Sequence, residues 1–278
     1  MKLQTVPARQ GALWVRQGFK AFARHPVAFC GLFIPVLAGM VLVNIVPMLV
    51  LFALPLVPLV SLGFMIASRT VIDGGKPTWS VFTAPLRAPR PRVVALIQLG
   101  LIYAGALLLI MLLGEWIDDG GASEALVQSP AGPASAASAP PAMAPDPGAL
   151  FELLLRLTLT GLLAIPFWHA PALVHWDGHG CAKALFSSTI AVWRNRGAFA
   201  MHSLIWFAWI MGLGMLGGLL LSVLGQPQLL LTITLPISAV VAVVYYASLY
   251  FTFADCFVAT DGDAAGGALP PPSETTPS

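Results

Sequence analysis

The sequence predicts an all-α polytopic membrane bundle of six transmembrane helices, and three observations support this prediction. Hydrophobic residues make up 58% of the chain and charged residues only 9%, whereas soluble domains carry about 25% charged residues. Several apolar stretches reach the length of about 20 residues that a helix needs to cross a bilayer. These stretches are continuous, without the alternation that is typical of strands in a membrane β-barrel.

The predicted spans follow from the positions of the apolar stretches. The chain carries no formal charge from Val27 to Ser68, which suits two spans joined tightly near Asn44–Pro47. Because backbone groups in hydrocarbon must bond within their own segment, each span is expected to be a helix. Four further spans fit Val93–Trp116, Leu150–Val174, Gly197–Leu224 and Leu229–Phe253.

Two segments have a composition that is typical of disordered chain. Residues 117–148 include a run of Ala, Pro, Ser and Gly without any Lys or Arg, and such a run cannot bury a core. The end of the chain reads PPPSETTPS. We therefore expect one membrane domain over residues 1–262, interrupted by a disordered external loop at 117–148. A disordered cytoplasmic tail is expected at 263–278.

The distribution of basic residues predicts the orientation. Thirteen of the fourteen Lys and Arg residues lie in the N-terminal segment, in Arg69–Arg92 or in Lys183–Arg196, and Arg156 is the exception. Basic loops stay on the cytoplasmic side of a membrane. Both termini are therefore predicted to be cytoplasmic.

About three basic segments have the pattern of interfacial amphipathic helices lying in the cytoplasmic headgroup plane. Ordinary connecting loops with chance periodicity are the alternative. In the second segment the pattern is weaker, because Pro85 interrupts it. The predicted apolar faces are Ala8, Ala12, Val15, Phe19 and Phe22 in the first segment, Trp79, Phe82 and Leu86 in the second, and Phe186, Ile190 and Trp193 in the third.

A threefold internal repeat is the main organisational signal. Asp73-Gly74 and Asp177-Gly178 begin segments that align without a gap, and a third Asp-Gly begins at Asp261. Each unit would consist of an interfacial helix, a basic break, two spans and Asp-Gly, and would return the chain to the same side. The copies would therefore be parallel, unlike the inverted repeats of many secondary transporters. Chance matches in a biased composition are the alternative. The predicted units are 7–74, 75–178 and 179–262.

The charged residues that recur in this repeat are the candidate structural or lipid contacts. In one interpretation, Asp-Gly ends each second span, with glycine in the position just past the helix. In the other, Asp73 and Asp177 pair with Arg24, Arg92 or Arg196 and hold the interfacial helices to the bundle. The candidate set is Arg24, Asp73, Arg90, Arg92, Asp177, Arg194, Arg196 and Asp261.

No constellation predicts catalysis, and the chain is not expected to be an enzyme. No nucleophile with a base, and no pair of carboxylates, stands out, so no catalytic or cofactor-binding residue is predicted. His175, Asp177 and His179 could gather metal ligands, but a fourth zinc ligand is not evident. A polar turn at the membrane interface is favoured, and no metal residue is predicted.

A glycine motif and the net charge exclude two further functions. A GxGxxG match lies inside an apolar span without a preceding strand, so it does not indicate a dinucleotide site. Within it, Gly214 and Gly218 favour close helix packing in lipid. The net charge of +2 is too dispersed to suggest a nucleic-acid surface.

Three stretches resemble a known group of proteins: LQTVPARQGALWVRQGFKAFARHP, PALVHWDGHGCAKALFSSTIAVWRNRGAF and YFTFADCFVA. They resemble an uncharacterised BPSS-type family of proteobacterial integral inner-membrane proteins. The resemblance covers most of the chain except the 117–148 loop and the tail, and implies a multi-pass protein of the bacterial inner membrane. The repeated plan is also similar to the membrane domains of some glycerophosphodiester phosphodiesterases, whose catalytic barrel has no counterpart in this sequence. Neither resemblance supplies site residues.

These observations favour a non-enzymatic integral inner-membrane protein that organises lipid or partner proteins at the cytoplasmic face. The expected partners are membrane lipids with anionic headgroups and other membrane proteins, and neither a cofactor nor nucleic acid is expected. A transporter or permease for a small or amphiphilic solute is the alternative, favoured by proline-containing spans and scattered polar residues. Arg156 and Asp255 are the ionisable outliers among the polar residues in or beside the spans, and both lie near a membrane surface.

Overall fold

The computed structural model describes residues 1–117, 147–225 and 227–258. Apart from its ends at 117 and 147–148, the predicted disordered loop lies outside these residues. The predicted tail and Asp261 also lie outside them.

The described chain is almost entirely helical, with one pair of two-residue strands, β1 (Lys2–Leu3) and β2 (Phe257–Val258). A 3₁₀ turn lies at Ala84–Arg87, and three short helical turns follow one another at Pro47–Leu49, Val50–Ala53 and Leu54–Leu56. The helices are α1 (Gln10–Arg24), α2 (Pro26–Ile45), α3 (Val57–Ile72), α4 (Ser80–Thr83), α5 (Arg90–Ile117), α6 (Pro147–Phe167), α7 (Ala170–Asp177), α8 (Cys181–Arg194), α9 (Arg196–Leu224) and α10 (Pro227–Cys256).

The prediction of an all-α polytopic bundle is confirmed. Six stretches are long and apolar enough to cross a membrane, and each corresponds to a predicted span. Prolines account for the irregular turns at Pro47–Leu49 and Leu54–Leu56, since proline cannot donate the backbone hydrogen bond of a regular helix. The stretches are Pro26–Ile45, Pro47–Ile72, Arg90–Trp116, Phe151–Asp177, Arg196–Leu220 and Pro236–Cys256.

One end of the bundle gathers α1, α4, α8 and the strand pair, and we call it the basic face. Here Lys2 pairs with Val258 in an antiparallel register, so the first described residues lie beside the last. Side chains from α1 and α5 bond to the ends of α3 and α7 at this face. The odd-numbered spans therefore begin, and the even-numbered spans end, on the same side.

The best-packed part of the core lies under the basic face. Trp14, Leu173 and Phe253 are fully buried there. Helix α10 is central, since it packs against α1, α2, α3 and α9. Many large apolar side chains elsewhere on the spans are exposed, as expected of surfaces that face lipid.

Helix α1 forms where the sequence predicted the first interfacial helix, but its buried face differs from the predicted one. Val15 is buried and Phe19 is half-buried, as expected, whereas Ala12 is exposed. The centre of the interface is Gly11, Trp14 and Gly18. A Cβ at Gly11 would fall on the backbone of α9, and one at Gly18 would fall on Ser248 of α10. The glycines therefore set the face, because they allow the helices to approach closely.

Candidate functional site

The described candidate residues all lie at the basic face, but the aspartates have partners other than the predicted arginines. Asp73 Oδ2 lies 3.8 Å from Nε of Arg69, one turn earlier on the same helix. Asp177 Oδ1 lies 3.1 Å from the amino nitrogen of Met1. The repeat-matched acids therefore serve local contacts and the docking of the N-terminal segment.

Two candidate arginines bind the carbonyl ends of spans. Arg24 Nη1 donates to the Val71 carbonyl at 3.3 Å, and Arg92 Nη1 donates to the His175 carbonyl at 2.9 Å. The last carbonyls of a helix lack intrahelical partners and carry the negative end of the helix dipole, so a guanidinium is favourable there. Each accepting carbonyl precedes the aspartate of an Asp-Gly pair by two residues.

Both described Asp-Gly pairs end a helix with glycine in the left-handed region. The φ angles are +83° at Gly74 and +68° at Gly178. Glycine adopts this conformation without the steric cost that a side chain incurs. At Gly178 there is a second requirement, because a Cβ would lie 3.3 Å from the guanidinium of Arg92. The glycine thus admits the arginine that binds the end of α7.

The remaining described candidates, Arg90, Arg194 and Arg196, point away from the bundle. All three are exposed. Within the described part of the chain, their side chains form neither a hydrogen bond nor an ion pair. Their charges are therefore available to groups outside the described residues.

Helix α8 presents aromatic side chains beside its cations. Its inner face is buried against the bundle through residues such as Ala184 and Ala191. Phe186 and Trp193, two turns apart, are 68% and 66% exposed, and Arg194 is exposed beside them. Exposed aromatic residues flanked by cations are typical of helices anchored at the membrane interface.

The shorter segment around α4 repeats this arrangement. Trp79 is 55% exposed and Leu86 is 49% exposed. Lys76 and Arg87 are exposed on either side of the segment. Two of the three predicted interfacial segments therefore present apolar and cationic side chains together at the basic face.

The His-Asp turn forms a hydrogen bond. His179 Nε2 lies 2.9 Å from Asp177 Oδ2. Burial lowers the pKa of His179 below its ordinary value of 6.5, although the Asp177 carboxylate acts in the opposite direction. At neutral pH the imidazole is therefore neutral, and its Nε2–H donates to Asp177. The described residues contain no group of three or more side chains placed to hold a metal ion.

A contact that the sequence did not reveal ties α1 to the end of α10. Gln10 Nε2 donates to Asp255 Oδ2 at 2.6 Å, and Trp14 Nε1 donates to the same oxygen at 2.7 Å. Gln10 and Trp14 are one turn apart and lie away from the cations of α1. This i, i+4 pair of donors, together with the single acid of the last span, is the signal that could have indicated the contact.

The N-terminal segment is held by Asn195, at the junction of α8 and α9. The Val6 backbone N–H donates to Asn195 Oδ1 at 2.8 Å, and Asn195 Nδ2 donates to the Gln4 carbonyl at 3.1 Å. Asn195 is almost fully buried. An amide side chain can donate and accept at once, so it replaces the strand partners that this short segment lacks.

Polar side chains within the spans bond to one another. Trp168 Nε1 donates to Thr252 Oγ1 at 3.2 Å, and His169 Nε2 lies 3.2 Å from the same oxygen. His202 Nε2 on α9 lies 3.0 Å from Ser248 Oγ on α10. These contacts link neighbouring helices, as expected for polar residues in the interior of a membrane bundle.

A charged cluster joins α5 and α6 at the opposite end of the bundle. Arg156 Nη2 donates to Glu115 Oε1 at 3.2 Å, and Arg156 Nε contacts the buried Glu152 carboxylate. A Cβ at Gly114 would fall on the arginine side chain. Gly114 therefore provides space for this cluster.

Comparison with known proteins finds a relative among bacterial inner membrane proteins. The chain is 33% identical over 259 residues to a probable inner membrane protein of Burkholderia thailandensis. The match covers 92% of this chain and 94% of that protein. No protein-family model matches the chain, and no solved structure matches it.

Proposed function

Since the chain belongs to the same family as the probable inner membrane protein of Burkholderia thailandensis, we propose that it is a non-enzymatic inner-membrane protein that gathers anionic lipid at its cytoplasmic face. The observation that supports this proposal is the exposure of aromatic residues beside cations at the basic face. Phe186, Trp193 and Arg194 on α8 provide the clearest case.

The distribution of charge at the basic face favours anionic headgroups. The acids there are engaged within the protein: Asp255 binds α1, Asp177 binds Met1 and His179, and Asp73 lies near Arg69. The cations are mostly exposed, and each Lys or Arg near an anionic lipid surface contributes about 1 kcal/mol of attraction. The exposed cations are Lys2, Arg9, Arg16, Lys20, Arg24, Lys76, Arg87, Arg90, Lys183, Arg194 and Arg196.

The aromatic side chains hold the adjacent cations at one depth in the membrane. Exposed rings such as Trp79 and Trp193 prefer the headgroup layer, where an amphipathic ring contacts both apolar and polar groups. The adjacent cations are then held at the level of lipid phosphates. Because basic segments stay cytoplasmic, we assign the basic face to the cytoplasmic leaflet.

The test measures which lipids remain around the purified protein. The protein is reconstituted in an equimolar mixture of phosphatidylglycerol and phosphatidylcholine, extracted gently, and its retained lipids are quantified by mass spectrometry. We expect enrichment of phosphatidylglycerol. In the triple variant Arg16→Gln, Lys20→Gln and Arg194→Gln we expect that enrichment to fall at least about fivefold. Fivefold is the factor that corresponds to losing about 1 kcal/mol, the attraction of a single cation, and the variant removes three.

The matched control replaces exposed aromatic residues that lie away from the cations. Phe207→Ala and Trp116→Ala change side chains that are exposed on the spans, and should leave the lipid ratio unchanged. Equal retention of the two lipids by the unmodified protein would overturn the proposed function.

A further inference from the structure

A groove of about 670 Å³ lies between α5 and the beginning of α8. Its α5 wall includes Gln98, Leu101 and Ile102, and its α8 wall includes Cys181 and Lys183. The volume is within the range of roughly 300–1,000 Å³ that is usual for small-molecule sites. Leu101 and Ile102 are exposed on a membrane span, so the groove opens toward lipid.

Gln98 is an unusual residue for this wall. Its side chain is exposed within a span and forms no hydrogen bond with any residue that the structure describes. Leaving an amide without a hydrogen-bond partner in apolar surroundings is unfavourable. The occupant of the groove must therefore offer polar atoms at this depth.

The Gln98 side chain is directed toward the polar part of a phospholipid. Gln98 is eight residues beyond the start of α5 at Arg90, which places it about 12 Å along the helix axis at 1.5 Å per residue. The headgroup and interfacial layers together occupy roughly 5–8 Å on each side of the hydrocarbon core. With Arg90 at the outer edge of that layer, the Gln98 backbone lies about 4–7 Å inside the hydrocarbon. Helix side chains point toward the helix N-terminus, so the Gln98 amide is directed back toward the ester and glycerol oxygens.

The α8 wall supplies positive charge. Lys183 is exposed beside the groove and has no ion-pair partner among the described residues. Cys181 lies in an apolar part of the same wall, where burial raises the pKa of its thiol above the ordinary value of 9.0. A cation at one end of an apolar groove, with a polar amide along it, is complementary to an anionic amphiphile.

We propose that this groove binds one anionic phospholipid, with its phosphate at Lys183, its ester oxygens at Gln98 and an acyl chain along Leu101 and Ile102. The proposal rests on the proposed function and deepens it, because it gives one lipid molecule a fixed place among those gathered at the basic face. Phosphate at this position also faces the uncapped first turn of α8, where backbone N–H groups favour an anion.

The first experiment counts the lipid by native mass spectrometry. The protein is delipidated in mild detergent and titrated with phosphatidylglycerol. We expect one molecule to bind more tightly than the others, and we expect its affinity to fall at least tenfold in the double variant Gln98→Leu and Lys183→Gln. The variant Lys20→Gln removes the same charge from an exposed site on α1 and should retain the tight molecule. Thermal unfolding confirms that each variant is folded.

The second experiment uses Cys181 as a natural reporter inside the groove. Its reaction with a water-soluble maleimide is followed by peptide mass spectrometry, which separates it from Cys30 and Cys256. Phosphatidylglycerol should slow the reaction at least fivefold in the unmodified protein and not in the double variant. Inorganic phosphate should give no protection, because it cannot fill the apolar wall.

The outcomes separate the two proposals. Equal protection of Cys181 in the unmodified protein and the double variant overturns the groove, and so does equal protection by phosphatidylcholine. Neither result affects the proposed function if phosphatidylglycerol is still enriched around the whole protein. Loss of that enrichment, with the tight molecule retained, overturns the proposed function and leaves the groove.

Discussion

At the basic face, arginine side chains bind helix carbonyls and not the aspartates that were considered as their partners. Arg24 and Arg92 bind the Val71 and His175 carbonyls, while Asp177 is bound by Met1 and His179. The sequence could place these residues at one face, because charge and span ends determine that. The sequence could not predict which group each arginine binds, because a long arginine side chain reaches a carbonyl or a carboxylate from the same helix position.

The neutral His179 makes the basic face sensitive to acid. Because its folded pKa is lowered, the unfolded chain takes up a proton first as the pH falls below about 6.5, so folding stability declines there. Above about pH 6.5, His179 is neutral in both the folded and the unfolded chain, so its protonation does not lower the folding stability. We expect the melting temperature in detergent to fall more steeply between pH 7.5 and pH 5.5 for the unmodified protein than for His179→Gln, which keeps a donor for Asp177. Parallel curves would contradict this assignment.

At the scale of the element, α1 shows which part of a helix its sequence determines. The alternation of apolar and basic residues predicted the helix and its exposed cations. The predicted face placed Ala12 inward, but the structure places Gly11, Trp14 and Gly18 at the contact. A hydrophobic pattern does not identify glycine as a buried residue. The buried Trp14 N–H needs an acceptor, and that acceptor is Asp255, which is distant in sequence. Close approach and a remote acid therefore decided the face.

The glycine contact of α1 leads to a direct prediction. Gly18→Ala would force a Cβ against Ser248 of α10, and overpacking of this kind typically costs about 1–3 kcal/mol. Gly31→Ala is the matched control, because nothing lies within 4 Å of a Cβ at that position of α2, and alanine favours a helix over glycine by about 1 kcal/mol. Thermal unfolding in detergent should show a lower melting temperature for the first variant and an equal or higher one for the second. A stable Gly18→Ala protein would mean that the helices are less close than described.

For the whole molecule, hydropathy predicted the number and place of the spans but not their order of packing. The spans Arg196–Leu220 and Pro236–Cys256 have the same hydropathy of 1.8, yet 11% of the first and 50% of the second is buried. A lipid-facing side chain and a helix-facing side chain are equally apolar in a membrane, so the sequence does not distinguish them. The threefold repeat stays a prediction. The Val71 and His175 carbonyls are 104 residues apart, as its register requires, but the arginines that bind them, Arg24 and Arg92, are not aligned with each other in the repeat.

The orientation can be tested with tags placed outside the described helices. A tag inserted near residue 130 and a tag after residue 278 should lie on opposite sides of the inner membrane. We expect the first to be accessible to protease in spheroplasts, and the second to become accessible only after permeabilisation, because we propose that the basic face is cytoplasmic. The reverse pattern would contradict the assignment of the basic face.

The bond between Gln10 and Asp255 joins positions 245 residues apart, and this separation has a consequence for synthesis in the cell. At about 5–20 residues per second, roughly 10–50 s pass between translation of these residues. During that interval α1 has left the ribosome but its docking surface on α10 does not yet exist. We expect the nascent helix to rest on the inner leaflet meanwhile, so its cations would serve biogenesis before they serve the finished protein.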